Sequence, residues 1–233
     1  MLLAMRFLTQ WLLLLLVTFS IGSAKSEHVI LCGGPALRQW EDLRVERDRH
    51  DRWWGNFVRA STIRMDELKI AYGANVPITW IVYRPSYEMR SRADGQPYTK
   101  WISQNASKRG AKLIWVTSGT QAISAINRPS RGKIVTFDYF GHSNRYCFML
   151  DYGSEILGAS GAWIHENDLY KIKSRAFAPN AQCQSYGCHT AESMSGKWKA
   201  AIGIPLIGCT GKTDYSKVGS GQMPFNSSGR WVR

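Results

Sequence analysis

The sequence predicts an α/β fold, a single-domain three-layer sandwich around a mostly parallel central sheet. Three observations predict it. Short apolar, β-branched runs alternate with longer stretches of helical spacing, the rhythm of parallel βαβ units. Gly, Pro or polar clusters close most of the runs. No repeat, low-complexity tract or linker divides the chain after its leader, so residues 25–233 are expected to share one core.

The leader is residues 1–24. Arg6 precedes the apolar core Trp11–Val17, and Gly22-Ser-Ala24 is a small-residue cleavage site. The apolar run falls short of the ~20 residues that span a bilayer. The chain is therefore expected to be exported, secreted or periplasmic, with no membrane anchor once the leader is removed.

His28–Cys32, closed by Gly33-Gly34-Pro35, reads as the first strand. The mixed charges of Trp40–His50 suggest a solvent-facing helix or ordered loop. Helical spacing runs from Trp53 through Phe57, Ile63, Met65 and Leu68 to Ile70. Pro77–Tyr83 is a strand by its β-branched and aromatic content, and Arg84–Pro97 reads as a polar loop. Tyr98–Arg109 is a helix stopped by Gly110. Lys112–Val116 is a strand, Thr120–Asn127 a short helix, and Ile134–Phe140 a strand ending at Gly141-His142-Ser143. Cys147–Asp151 is expected to be a short strand and Trp163–Lys173 a helix. Ala181–Gly187 is an unusually polar run that stops at Cys188, followed by a helix to Ala201 and a strand over Ile204–Gly208.

Thirty Lys and Arg against seventeen Asp and Glu give a net charge of +13, and no acid occurs between Gln96 and Phe137. A basic stretch over residues 96–137 could meet an anionic polymer. No motif for specific nucleic-acid binding accompanies it, and apolar positions separate its charges, so a solvated face is the plainer reading. Five cysteines are too few and too irregular for a disulfide scaffold, and their odd number leaves at least one unpaired within the chain.

Two turns carry the chemistry. In an open α/β sheet, reactive side chains gather at the carboxyl ends of the strands. His142 stands at one such end and Cys188 at another, 46 positions later. A thiol becomes a nucleophile when a helix N-terminus or a nearby imidazolium favours its anion. Cys188 precedes a helix, and His142 can take or return its proton. Backbone N–H groups at Gly141 and Cys188 are candidate donors to an oxyanion.

The block Ile134–His142, with Cys188 after the next strand, resembles the caspase-like superfamily of cysteine peptidases (caspases, legumains, gingipains, separases). There a His follows one core strand and the Cys ends the next, at a similar separation. The resemblance covers residues 77–215 and implies a caspase-like fold, a Cys188–His142 dyad, a protein or peptide substrate and no cofactor. The family's His-Gly order is replaced here by His142-Ser143, and the caspase signature around the cysteine is absent. The family also implies a charged or polar pocket for the residue before the cut. Asp138, Ser143, Asp151 and Asp214 are candidates, and Asp138 or Asp151 could instead orient His142. The loop Thr210–Asp214 is expected beside the mouth of the site.

Two other readings remain open. The chain could be an inactive caspase-like domain that binds a protein or an anionic polymer. Alternatively, Cys183, Cys188, His189 and His142 could hold zinc, or the segment Cys183–His189 a haem, although its spacing fits neither usual pattern. A Cys183–Cys188 disulfide would silence the nucleophile.

Overall fold

The computed structural model describes residues 26–152 and 161–233 apart from 44, 47, 48, 50 and 51, so the leader expected over residues 1–24 lies outside the described residues. Seven strands form the central sheet: β1 (Ser26–Cys32), β2 (Ile78–Tyr83), β3 (Lys112–Val116), β4 (Lys133–Phe140), β8 (Phe177–Ser185), β9 (Leu206–Cys209) and β12 (Trp231–Val232). Their order is β3-β2-β1-β4-β8-β9-β12. The first six run parallel and β12 closes the edge antiparallel to β9. Between β4 and β8 a small antiparallel sheet is made by β5 (His142–Ser143), β6 (Cys147–Met149) and β7 (Trp163–His165). A hairpin of β10 (Thr213–Asp214) and β11 (Phe225–Asn226) follows β9.

The three layers follow from alternation along the strands. Ile30 and Cys32 face one side with Trp80, Val82 and Phe140, covered by α2 (Asn56–Tyr72), α3 (Arg84–Asp94) and α4 (Tyr98–Lys108). Val29 and Leu31 face the other with Ile81, Phe137 and Tyr139, covered by α5 (Gly119–Ile126) and α6 (Met194–Ile202). Trp198 of α6 is fully buried and stacks on Phe137 at 5.0 Å. A short helix, α1 (Arg38–Leu43), precedes α2. The α/β sandwich expected from the sequence is therefore what forms.

Two segments differ from expectation. Arg84–Pro97 is largely the helix α3, not a loop. Pro85 occupies its first turn, where a missing N–H costs nothing, and Gly95 ends it in the left-handed conformation. Arg84–Glu88 (2.6 Å) pairs on its exposed face, and the buried Arg90 pairs with Asp94 at 2.8 Å. Trp163–Lys173 begins as β7 and continues as a 3₁₀ turn over Glu166–Lys171. The His165 ring accepts the Asn167 N–H there at 3.1 Å, and that local bond replaces a regular α-helical start.

The polarity of the run before Cys188 also has a reason. Ala181 and Cys183 pack against the α5 and α6 side. Gln182 and Gln184 instead line a cleft of about 320 Å³ with Arg64, Asp138, Ile207 and Arg233.

Candidate active site

The chain leaves β1 toward β2 and β3 on one side, while β4, β8 and β9 extend on the other. The topological switch thus lies between β1 and β4, where open α/β sheets bind ligands at their carboxyl edge. The two strand ends come close together there. Gly33 N–H donates to Phe140 O at 2.8 Å, and a Cβ on Gly33 would lie 3.4 Å from the Gly141 Cα.

His142 and Cys188 stand at this edge on neighbouring strands. Tyr139 of β4 and Ser185 of β8 are register partners, and His142 and Cys188 each lie three positions beyond them. Lateral bonds continue past the ladder. Tyr186 N–H donates to Tyr139 O at 2.8 Å, and Ser143 Oγ donates to Cys188 O at 2.6 Å. The turn that carries the imidazole is therefore tied to the turn that carries the thiol.

Aromatic rings set the imidazole. Phe57 of α2 meets His142 edge-on at 5.0 Å, and Tyr152 meets it edge-on at 4.6 Å. Tyr152 is itself held by an isolated bridge to Ala36 in the segment after β1. Tyr139 Oη lies 2.5 Å from His142 O and 2.8 Å from Met149 O, stapling β5 to the end of β6.

The thiol of Cys188 is free and half-buried. Thr213 N–H approaches its sulfur at 3.4 Å and Thr213 Oγ1 at 3.4 Å. The next residue, His189, has φ +61°, and it is the only non-glycine residue with positive φ among the described residues. Its N–H donates to Gly211 O at 2.7 Å and its ring pairs with Glu192 at 2.5 Å. These bonds compensate a backbone conformation that costs roughly 1–3 kcal/mol and that concentrates at functional turns.

Gly187 is required by a close approach. A Cβ there would lie 2.2 Å from Ser143 Oγ and 2.7 Å from its Cβ. Gly187→Ala is accordingly expected to push the Ser143 turn off the Cys188 carbonyl and lower stability by about 1–3 kcal/mol, the usual range for overpacking. Urea unfolding measures it, and an unchanged midpoint would contradict the packing described.

The other predicted residues fall as follows. Gly141 is packed against Tyr139, where a Cβ would lie 2.4 Å from the Tyr139 Oη. Ser143 ties the two turns together. Asp151 is buried beneath the small sheet, accepting the Gly161 N–H at 2.6 Å and the Ala162 N–H at 3.2 Å. Asp138 points to the α2 side and pairs with Arg64 at 2.9 Å. Asp214 lies on the β10 hairpin beside Thr213 and accepts the Ser216 N–H at 2.6 Å. Cys183 is buried toward the α6 face and His189 pairs with Glu192, so the segment Cys183–His189 does not converge. Neither Cys183 nor Cys188 is in a disulfide, and no cluster of three metal-type side chains occurs among the described residues.

The basic stretch lies elsewhere. Lys112 opens β3 and Lys133 opens β4, at the amino end of the sheet opposite His142. Arg109 of that stretch is paired with Asp66 at 2.9 Å.

No family model, curated protein or solved structure matches the chain. The site must therefore be read from its own geometry. Sequence reasoning named His142 and Cys188 and placed the Thr213 loop beside them, but missed Phe57, Tyr152 and Tyr215 as walls and the contact of Thr213 with the sulfur. Phe57 was legible only as a core aromatic, and Thr213 reaches the sulfur from a hairpin 25 residues away.

Proposed function

We propose that the protein is an exported caspase-like cysteine endopeptidase. What supports this reading is a free, half-buried thiol and an imidazole just past a shared register pair, beside the topological switch of a parallel sheet. Cys188 sulfur attacks the scissile carbonyl while its amide N–H steadies the oxyanion. The C–N bond breaks as protonated His142 gives its proton to the leaving amine. Water, deprotonated by the now neutral His142, then hydrolyses the thioester and frees the carboxylate product. No step requires a cofactor. Asp138, Asp151 and Asp214 are all engaged in structural contacts, so none of them is assigned to the residue before the cut.

The test has two readouts. Cleavage of a peptide library by wild type is expected to vanish in Cys188→Ala, and equal rates would remove the proposal. Iodoacetamide labelling separates an enzyme from an inactive binding domain. Burial raises the thiols of Cys32 and Cys147 to about 11 and of Cys183 to about 12, and also raises that of Cys209. Selective labelling near neutral pH is therefore expected at Cys188; no preference over Cys209 favours the binding domain.

A further inference from the structure

We propose that Thr213 is a positioning residue that stabilises the sulfur of Cys188 as a thiolate, using its hydroxyl and its backbone amide together. The purpose of this device rests on the peptidase reading, but its geometry does not.

A thiolate needs donors aimed at it, whereas a thiol needs an acceptor. Thr213 offers both in turn. Its N–H and its Oγ1 each lie 3.4 Å from the sulfur, with its carbonyl oxygen at 3.9 Å. Thr213 Oγ1 also donates to Tyr186 O at 2.8 Å. With the hydroxyl proton so used, a protonated Cys188 gives its S–H to Oγ1. When that proton passes to His142, rotation about one C–O bond turns the Thr213 hydroxyl toward the sulfur. The Tyr186 carbonyl is not stranded by this move, because Tyr215 Oη donates to it at 3.0 Å. Switching therefore leaves no buried acceptor unsatisfied, which would otherwise cost about 1–3 kcal/mol.

The backbone donor is polarised in the same sense. The peptide whose N–H meets Cys188 is the Lys212–Thr213 unit, and its Lys212 carbonyl accepts the Ser227 N–H at 2.9 Å. A donor on the oxygen side strengthens the N–H on the other. The arrangement is also rigid. Thr213 is only 8% exposed and pairs with Asn226 across the β10–β11 hairpin. His189 N–H anchors the same loop at Gly211 O, so the turn that holds the sulfur and the loop that holds its donors are fastened together.

The experiment is the pH profile of iodoacetamide alkylation at Cys188, followed by peptide mapping in the full chain. Wild type is compared with Thr213→Val, which keeps shape but lacks the hydroxyl, and Thr213→Ser, which keeps the hydroxyl. Thr213→Val is expected to slow labelling near neutral pH by about tenfold to a hundredfold and to move the profile to higher pH, matching the loss of one hydrogen bond to a charged group. Thr213→Ser should stay within about twofold of wild type. Labelling of the valine variant at the wild-type rate, or equal slowing in both variants, would overturn the proposal. Thermal unfolding checks that each variant is folded, and Thr213→Ala replaces the valine variant if it is not. The two proposals fail separately. Wild type without turnover but with a valine-dependent profile removes only the peptidase, while turnover with an unchanged profile removes only this role for Thr213.

Discussion

His142→Ala is expected to lower peptide turnover by about 10²- to 10⁴-fold, the range lost when a positioned proton donor is removed. The effect should fall on kcat more than on KM, because the ring is assigned to the leaving amine and the water rather than to holding the peptide. Added imidazole should restore part of the rate in the alanine variant, since the space between Phe57 and Tyr152 is already shaped for an edge-on ring. His142→Gln provides a bulkier comparison that fills more of the gap without supplying the proton. Steady-state kinetics on one cleavable peptide decides the matter. Turnover in His142→Ala at the wild-type level would end the dyad assignment even if Cys188 proved essential.

The second large effect is on stability. Arg64→Met is expected to destabilise the fold by about 1–2 kcal/mol near neutral pH, the cost of protonating the buried Asp138 carboxylate once its partner is gone. Asp138 is 2% exposed and forms an ion pair with Arg64 Nε at 2.9 Å. Two tendencies compete at this pair. Burial raises the Asp138 carboxyl from 3.8 to about 6, outweighing the opposite pull of the Arg64 guanidinium. Arg64, less deeply buried, is held more firmly charged by the same contact. A carboxyl raised in the folded state binds its proton more tightly there than in the unfolded chain, so this group subtracts stability as pH rises from about 4 to about 6. Without Arg64 the carboxyl rises further, so the deficit of the variant should widen with pH and shrink in acid. Adding Asp138→Asn should recover most of it. Urea unfolding of the three proteins across pH measures this, and a deficit independent of pH would mean that the pair contributes packing rather than charge.

The sequence exposed much of this arrangement because its strands are written in side chains that allow few alternatives. Ile78–Tyr83 is buried along its whole length, and its β-branched and aromatic residues read as a strand without help from tertiary context. The turns at His142 and Cys188 were legible as chain stops next to reactive residues. What stayed hidden depends on contacts distant in sequence. Arg84–Asp94 did carry local helix signals, with Pro85 in the first turn, Gly95 at the stop and pairs at i,i+4. Its low apolar content masked them, and only the packing of Tyr87 with the β1 side chains reveals its buried face. Asp138 and Asp151 sit near His142 in sequence, yet alternation and the small sheet send their carboxylates elsewhere. Thr213 could be placed beside the mouth of the site but not against the sulfur, because that contact depends on where a second hairpin folds back.

His142 and Cys188 follow the ends of different strands, and the peptide ladder between β4 and β8 sets their alignment. A slip of one residue would carry the thiol about 3.3 Å along the sheet and swap which side chains face each layer. The Ser143 and Tyr186 bonds beyond the ladder oppose that shear at the point where it would do most harm. In this protein, keeping strand register and keeping the imidazole and the thiol side by side are the same requirement.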